Sequence, residues 1–321
     1  MENYCLPDPR GEGMTYRYCG RSGLMLSRIA LGFWHNFGWS RGASAGWLPD
    51  DYSRCRSIVE YAFEHGVTYF DLANNYGPPA GSAEQCFGKI LNDSLGAHRD
   101  EMVIATKAGH DMWPGPYGEW GSRKSLVASL DQSLRRMGLE YVDIFYSHRP
   151  DPRTPLEETM QALVDIVRAG KALYVGISKY PPEMAQKAYD YLSARDVPCL
   201  VYQGKYNMMV RGDEEQILPQ AAENGVGYVA FSPLNQGLLT DRYLHGVPEG
   251  SRMTRSPFLR PEVLTDEYRT LISDLDRQAS EQGRSIAELS LRWILDRPEV
   301  TSVIVGASSV EQLKKNLKAA I

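Results

Sequence analysis

Asp71, Tyr76, Lys107 and His148 stand at the C-terminal ends of three short apolar runs, GVTYFDLANNYG, MVIATKAG and YVDIFYSH. Together these residue types make a proton-donating site for carbonyl reduction. Hydride addition to a carbonyl leaves an alkoxide that must be protonated, and a tyrosine of pKa ~10 is too weak an acid near neutral pH unless that value falls. A lysine ammonium ~4 Å away, at an effective dielectric of ~20, favours the phenolate by ~4 kcal/mol, or roughly three pKa units before desolvation opposes it. The expectation is therefore that Lys107 brings Tyr76 near pH 7. Asp71 then holds Lys107 charged and oriented, and His148 donates a hydrogen bond to the substrate oxygen. Any one of the four alone reads as readily as a strand-end cap or a surface ion pair. Their combination at strand ends carries the reading, because in a parallel α/β barrel those ends share the face where chemistry is found.

The elements that must position them follow from an alternation of β-like apolar runs and helical patterns, the sign of βαβ units and a parallel sheet. Strands are expected near Arg28–Leu31, Tyr69–Asp71, Met102–Thr106, Val142–Tyr146, Leu173–Gly176, Leu200–Gln203, Tyr228–Phe231 and Val303–Val305. Helices are expected at Asp51–His65, Ser82–Leu91, Ser122–Met137, Pro155–Ala169, Pro182–Ala194, Glu214–Asn224, Ser285–Asp296 and Val310–Lys318. Ser122 and Ser285 suit N-caps, and Pro155 suits the first helical position after Thr154. Eight such cycles describe an α/β fold, a (β/α)8 TIM barrel. Between the seventh strand and the seventh helix, residues Asn235 to Gly283 are too long for an ordinary connection, so this insertion is expected to be functional, with an extra helix over Thr265–Gln282.

A chain of 321 residues suits one such barrel, so residues 1–321 read as a single domain. A formal net charge of -5, with basic residues scattered along the chain, offers no field for nucleic acid. Cys5, Cys19, Cys55, Cys86 and Cys199 are odd in number and contain no C-x-x-C, which points to reduced thiols in a cytoplasm. The start MENYCLPDPRGEG lacks a basic n-region and an apolar h-region, and no apolar run approaches ~18 residues, so neither export nor a membrane span is expected. No G-x-G-x-x-G occurs, which disfavours a Rossmann fold. Gly38-Trp39-Ser40-Arg41-Gly42 matches G-x-S-x-G, but the following ASAGWLP is not a helix, so a hydrolase elbow is disfavoured. The remaining histidines show no H-E-x-x-H or paired spacing, and no metal is expected.

The four residues, in this order and at these strand ends, resemble the catalytic tetrad of the aldo-keto reductases. Matching motifs run from Tyr16-Arg17-Tyr18 through VTYFDLANNYG, ATKAG, GLEYVDIFYSH, YVGIS, YQGKYN and AFSPL to VIVGASSVEQL, nearly the whole chain. Within that superfamily GFWHNFG, ANNYGPPAGSAE and KAGHDMWPGPYGEWGSRK are similar to the bacterial reductases of L-glyceraldehyde 3-phosphate and methylglyoxal, relatives of the voltage-gated potassium channel beta subunits. Thr68 and Leu72 depart from the Asn and Thr of the family's GxNxFDTA motif, without touching the tetrad. Family members continue through a C-terminal segment that helps close the substrate pocket, and that segment is not expected within these residues, which reach Ile321 just after the eighth helix.

The resemblance implies NADPH-dependent reduction of small aldehydes, and its cofactor contacts carry over residue by residue. Ser178, Gln203 and Lys179 would meet the nicotinamide carboxamide, and Tyr206 would stack on the ring. Ser232, Leu234 and Gln236 would line the pyrophosphate under an insertion that covers the cofactor. Arg242 and Arg252 correspond to basic positions at the adenosine end, and Gly306, Ser308, Gln312 and Asn316 to adenine and ribose contacts. Lys315 stands where the channel subunits have Glu. Arginines near a ribose 2′-phosphate form charge-assisted bonds, which favours NADPH over NADH. The loop after strand three supplies Trp113, Tyr117 and Trp120, and Trp34 follows strand one, as an aromatic wall for a small carbonyl compound. Trp113 and Trp120 read equally well as loop core. Arg149 reads as a contact to a substrate phosphate or as an ion pair with Asp151. The resemblance also implies an alternative, an NADP(H)-binding redox sensor or regulatory subunit, and a homo-oligomer is expected.

Overall fold

The alternation of short apolar runs and amphipathic stretches closes into a barrel. The computed structural model describes residues 13–38, 49–244, 246–249, 251–255 and 259–320. Cys5 and most of the Gly38–Gly42 motif lie outside the described residues. The described chain enters through an antiparallel hairpin, β1 (Tyr16–Tyr18) and β2 (Met25–Ser27), absent from the sequence expectation. Eight parallel strands follow: β3 (Ile29–Gly32), β4 (Tyr69–Asp71), β5 (Val103–Ala108), β6 (Val142–Ser147), β7 (Ala172–Ser178), β8 (Cys199–Lys205), β9 (Gly227–Phe231) and β10 (Val300–Val305). They pair in chain order, and β10 returns to β3 with Val303 opposite Ile29, so the barrel has no free edge.

Helices alternate with these strands: α1 (Pro49–Glu64), α2 (Ser82–Ile90), α3 (Arg123–Met137), α4 (Leu156–Arg168), α5 (Pro182–Ser193) and α6 (Ile217–Asn224). The insertion contributes α7 (Arg252–Arg255) and α8 (Asp266–Glu281), and α9 (Ile286–Leu295) and α10 (Val310–Leu317) complete the ring. Local chemistry sets the ends. Ser122, Thr265, Ser285 and Ser309 each accept a bond from the amide three residues on, and Gly138 closes α3 at φ 68. α4 starts at Leu156, so Pro155 occupies the capping position, one residue outside the expected start. α6 starts at Ile217, preceded by a 3-10 turn over Gly212–Glu214.

Because side chains alternate along a strand, each strand sends one set of residues inward and the other against the helices. The inward set, including Ala30, Tyr69, Ala105, Ile144, Tyr146, Val201, Val229 and Ile304, forms its own buried cluster. Cys19 and Leu26 of the hairpin segment belong to this cluster and seal one end of it. Gly176 makes room for Tyr146, since a Cβ there would lie 2.5 Å from the tyrosine ring. The insertion has a separate apolar cluster, in which Leu238, Leu239, Tyr243 and Met253 meet Tyr268, Ile272 and Leu275 of α8. Tyr268 Oη donates to the Leu238 carbonyl at 2.9 Å, tying the extra helix back to the start of the excursion.

Candidate active site

The same alternation that fills the barrel delivers the charged residues. Tyr69 and Asp71 on β4, and Val103, Ala105 and Lys107 on β5, face inward, while Phe70 and Ile104 pack outward. Lys107 is wholly buried, and its Nζ donates to Asp71 Oδ2 at 2.6 Å and to the Leu72 carbonyl at 2.7 Å. Asp71 Oδ1 accepts from Gln203 Nε2 at 2.8 Å and from the Tyr69 hydroxyl at 3.5 Å. Tyr76 comes from the loop after β4, fixed by its amide to the Ala73 carbonyl at 3.0 Å and by its carbonyl to the Ala83 amide at 3.3 Å. The centre of its ring lies 5.0 Å from Lys107 Nζ. His148 follows β6, where its amide bonds Ala108, and its ring meets that of Tyr76 edge-on at 5.9 Å. The structure thus brings Asp71, Tyr76, Lys107 and His148 into one cluster at the C-terminal ends of the strands.

The electrostatics correct one expectation. Burial, then the negative charge of Asp71, push Tyr76 well above its usual 10, and Lys107 does not draw it toward neutrality. The lysine charge is compensated 2.6 Å away by Asp71, so the phenol faces an ion pair instead of a lone ammonium. Burial also lowers Lys107 itself, against the opposing pull of Asp71. His148 is held well below 6.5 by burial first, then by Lys107, Lys179, His110 and Arg149. At neutral pH the cluster therefore holds a protonated phenol and a neutral imidazole.

Two buried polar atoms at this end, His148 Nδ1 and Ser178 Oγ, have no hydrogen-bond partner in the protein, and neither does Asn316 Nδ2 on α10. Buried polar groups are normally satisfied, so these are groups a bound molecule would complete. Ser178 and Gln203 sit directly opposite one another on β7 and β8, at the strand ends. After β9 the backbone turns through left-handed conformations at Ser232 (φ 54), Asn235 (φ 43) and Gln236 (φ 61), with Asn207 Nδ2 on the Ser232 carbonyl at 2.9 Å. Such strain in non-glycine residues gathers at ligand sites. Leu234 packs beneath this turn against both the barrel core and the insertion core. Arg242 is exposed in the 3-10 turn Asp241–Tyr243, and Arg252 opens α7, its side chain outside the described residues. Gly306 is exposed after β10, and Ser308 N and Oγ both bond Gln312 Oε1 at 2.9 Å in the approach to α10.

Three sequence expectations require correction. Tyr206 cannot face a cofactor at the barrel mouth: it is fully buried, stacked on Trp293 of α9 at 5.3 Å, with its hydroxyl donating to Glu214 at 2.6 Å. The ring that stands at the mouth is Phe231, the inward-facing last residue of β9, partly exposed above the interior cluster. The strand-end logic that selects Asp71 and Lys107 selects it too. Second, Arg149 does not pair with Asp151. Its guanidinium bonds the Gly109 carbonyl at 2.9 Å and Glu119, and covers the Trp120 ring at 3.7 Å. Asp151 instead accepts from the amides of Gly121, Arg153 and Thr154, shaping the turn. Third, Trp120 is thereby a packing partner within its loop. Trp113 borders a surface cavity of ≈ 410 Å³ formed by Asp111 to Gly115, and Trp34 is half-buried beside His35. His110, which the sequence reading passed over, reaches the tetrad, with its ring perpendicular to that of His148 at 4.5 Å.

A closed parallel barrel with a buried Asp–Lys pair, a tyrosine and a histidine at its C-terminal end defines an oxidoreductase, and the Aldo/keto reductase family description matches residues 28–321: the chain belongs to that family. It is 52% identical over 318 residues to the L-glyceraldehyde 3-phosphate reductase of Escherichia coli O157:H7, covering 98% of this chain and 89% of that protein. The protein of the same name from Escherichia coli strain K12 is 51% identical over 318 residues, 98% of this chain and 89% of its own length. A probable voltage-gated potassium channel subunit beta of Arabidopsis thaliana is 35% identical over 313 residues, 95% of this chain and 91% of that protein. These likenesses and the family support aldehyde reduction by an enzyme. Among the described residues no helix is long and apolar enough to cross a membrane.

Proposed function

We propose that this enzyme reduces small aldehydes, L-glyceraldehyde 3-phosphate and methylglyoxal among them, to alcohols with NADPH as hydride donor and Tyr76 as the proton donor. The carrying observation is the single cluster in which Lys107 bonds Asp71 at 2.6 Å beneath the Tyr76 ring and His148 packs against that ring. The orphaned Ser178 Oγ at the end of β7 and Asn316 Nδ2 on α10 fit the carboxamide and adenosine ends of a dinucleotide. Ser178 and Gln203 would hold the nicotinamide against Phe231, the Ser232–Gln236 turn the pyrophosphate, and Arg242 with Arg252 a 2′-phosphate. When bound, the reduced nicotinamide supplies hydride to the carbonyl carbon.

The chain's own groups then act on the carbonyl oxygen. As negative charge grows there, the Tyr76 hydroxyl donates and its proton passes to that oxygen, leaving a tyrosinate beside the Lys107–Asp71 pair. Asp71 holds the ammonium in place. His148, a neutral imidazole, orients the oxygen by a hydrogen bond without adding a second positive charge. Tyr76 starts protonated because burial and Asp71 keep it so.

The test is NADPH consumption over a panel of L-glyceraldehyde 3-phosphate, methylglyoxal and aromatic aldehydes, repeated with NADH. Turnover of the short aldehydes, faster with NADPH, supports the reading. Tight NADPH binding without turnover on any aldehyde would favour the regulatory alternative suggested by the channel subunit relatives.

A further inference from the structure

Resting on that reading, we propose that Lys179 is the specificity-determining cation of the site and takes the phosphate of a short phosphorylated aldehyde. Three cations stand in or beside the tetrad: Lys107, Arg149 and Lys179. Lys107 is buried on Asp71, and Arg149 is committed to Glu119, the Gly109 carbonyl and the Trp120 ring. Among the described residues the Lys179 ammonium has no hydrogen bond or ion pair, only the Phe231 ring beside it.

Its placement follows from the backbone. Ser178 faces the barrel interior as the last residue of β7, so an extended Lys179 would point to the outer wall. The chain instead takes a left-handed conformation at Lys179, φ 63, with its amide on the Gln203 carbonyl at 3.3 Å. The side chain leans across β8, and Nζ comes within 5.4 Å of the centre of the Phe231 ring on β9. A left-handed lysine that is not at a helix end is strained, and its effect here is to hang a charge over the mouth.

The charge is felt within the site. Lys179 is among the causes that depress both His110 and His148, and its own pKa is brought down to about 8 by partial burial, then by Lys107 and Arg149. The residue as a whole nevertheless remains exposed. An anion arriving here would relieve repulsion among cations as well as gain a charge-assisted bond. An uncharged aldehyde would gain neither.

The experiment compares D,L-glyceraldehyde with glyceraldehyde 3-phosphate, which differ only in the phosphate, on the wild type, Lys179→Met and Lys179→Arg, with the NADPH Kd of each measured by fluorescence titration. The methionine variant is expected to raise KM for the phosphorylated substrate by roughly 10- to 100-fold more than KM for glyceraldehyde. Arginine should restore most of that selectivity, and inorganic phosphate should inhibit the wild type competitively and the methionine variant weakly. Parallel losses on both substrates, or a Kd for NADPH that rises in step with KM, would overturn the proposal and return Lys179 to the cofactor. A wild type that reduces neither aldehyde would overturn the aldehyde-reductase reading itself, an outcome distinct from either.

Discussion

The two ends of the barrel interior are built on opposite principles. At the end sealed by the β1–β2 hairpin, Cys19 and Leu26 are fully buried among Ala30, Val103, Leu200 and Val229, an apolar plug of ordinary packing. At the other end, a few residues along the same strands, the interior holds a buried ion pair, unpartnered polar atoms and a series of left-handed residues at Lys179, Ser232, Asn235 and Gln236. Unpartnered polar atoms also occur near the strand starts, at Arg28 Nε and Arg99 Nε, but at the mouth they stand together with the wholly buried ion pair and the left-handed residues. The division matches the rule that the C-terminal face of such barrels carries chemistry and the opposite face stability.

The comparison can be broken most forcefully at the ion pair. Asp71→Asn leaves Lys107 buried without its counter-charge, and the expected cost is about 3–5 kcal/mol of stability together with loss of reduction. Chemical denaturation and NADPH consumption measure both. A variant as stable as the wild type would mean that Lys107 is already neutral there. Leu26→Ala tests the other end: truncation of a fully buried leucine is expected to cost about 2–5 kcal/mol while kcat, measured well below the lowered Tm, stays at the wild-type value. A matching drop in kcat would show that the hairpin reaches the chemistry.

The mouth was largely legible in the sequence because a period of two at a strand end leaves little freedom: Asp71, Lys107, Ser178 and Gln203 had to face inward once β4, β5, β7 and β8 were placed. What lay outside that pattern was less legible. Tyr206 follows the end of β8, where alternation no longer binds, and it packs outward on Trp293 from a helix some ninety residues on. Arg149 was ambiguous because Asp151 is near in sequence while Glu119, its partner, reaches it only through a loop fold. The hairpin β1–β2 is too short to signal itself by alternation, although Tyr16-Arg17-Tyr18 is where the matching family motifs begin. The acidity of Tyr76 was not legible because sequence places Lys107 and Asp71 nearby without showing how far burial of the phenol, the first cause of its raised pKa, outweighs the lysine.

Smaller effects sharpen the same contrast. Ser178→Ala removes a hydroxyl that has no partner in the protein, so thermal stability should hold while NADPH affinity falls by about 1 kcal/mol, roughly fivefold in Kd. A fall in Tm would show that the hydroxyl is satisfied within the protein. The pH dependence of reduction is expected to be the mildest change. Because Tyr76 is shifted upward, its proton-donating form is fully present below its raised pKa, so kcat should stay level through neutral pH and decline only in the alkaline range. A decline centred near pH 7 would restore the sequence-based expectation of a strongly acidified phenol.

The central claim is that Tyr76 gives its proton to the substrate oxygen from a preassembled site. Tyr76→Phe keeps the ring above Lys107 and removes only the hydroxyl. Measured with saturating NADPH and methylglyoxal, its reduction rate should fall by roughly 10² or more while the NADPH Kd changes less than twofold. A rate within a few-fold of the wild type, at unchanged Kd, would contradict the account and move the proton donor elsewhere in the cluster.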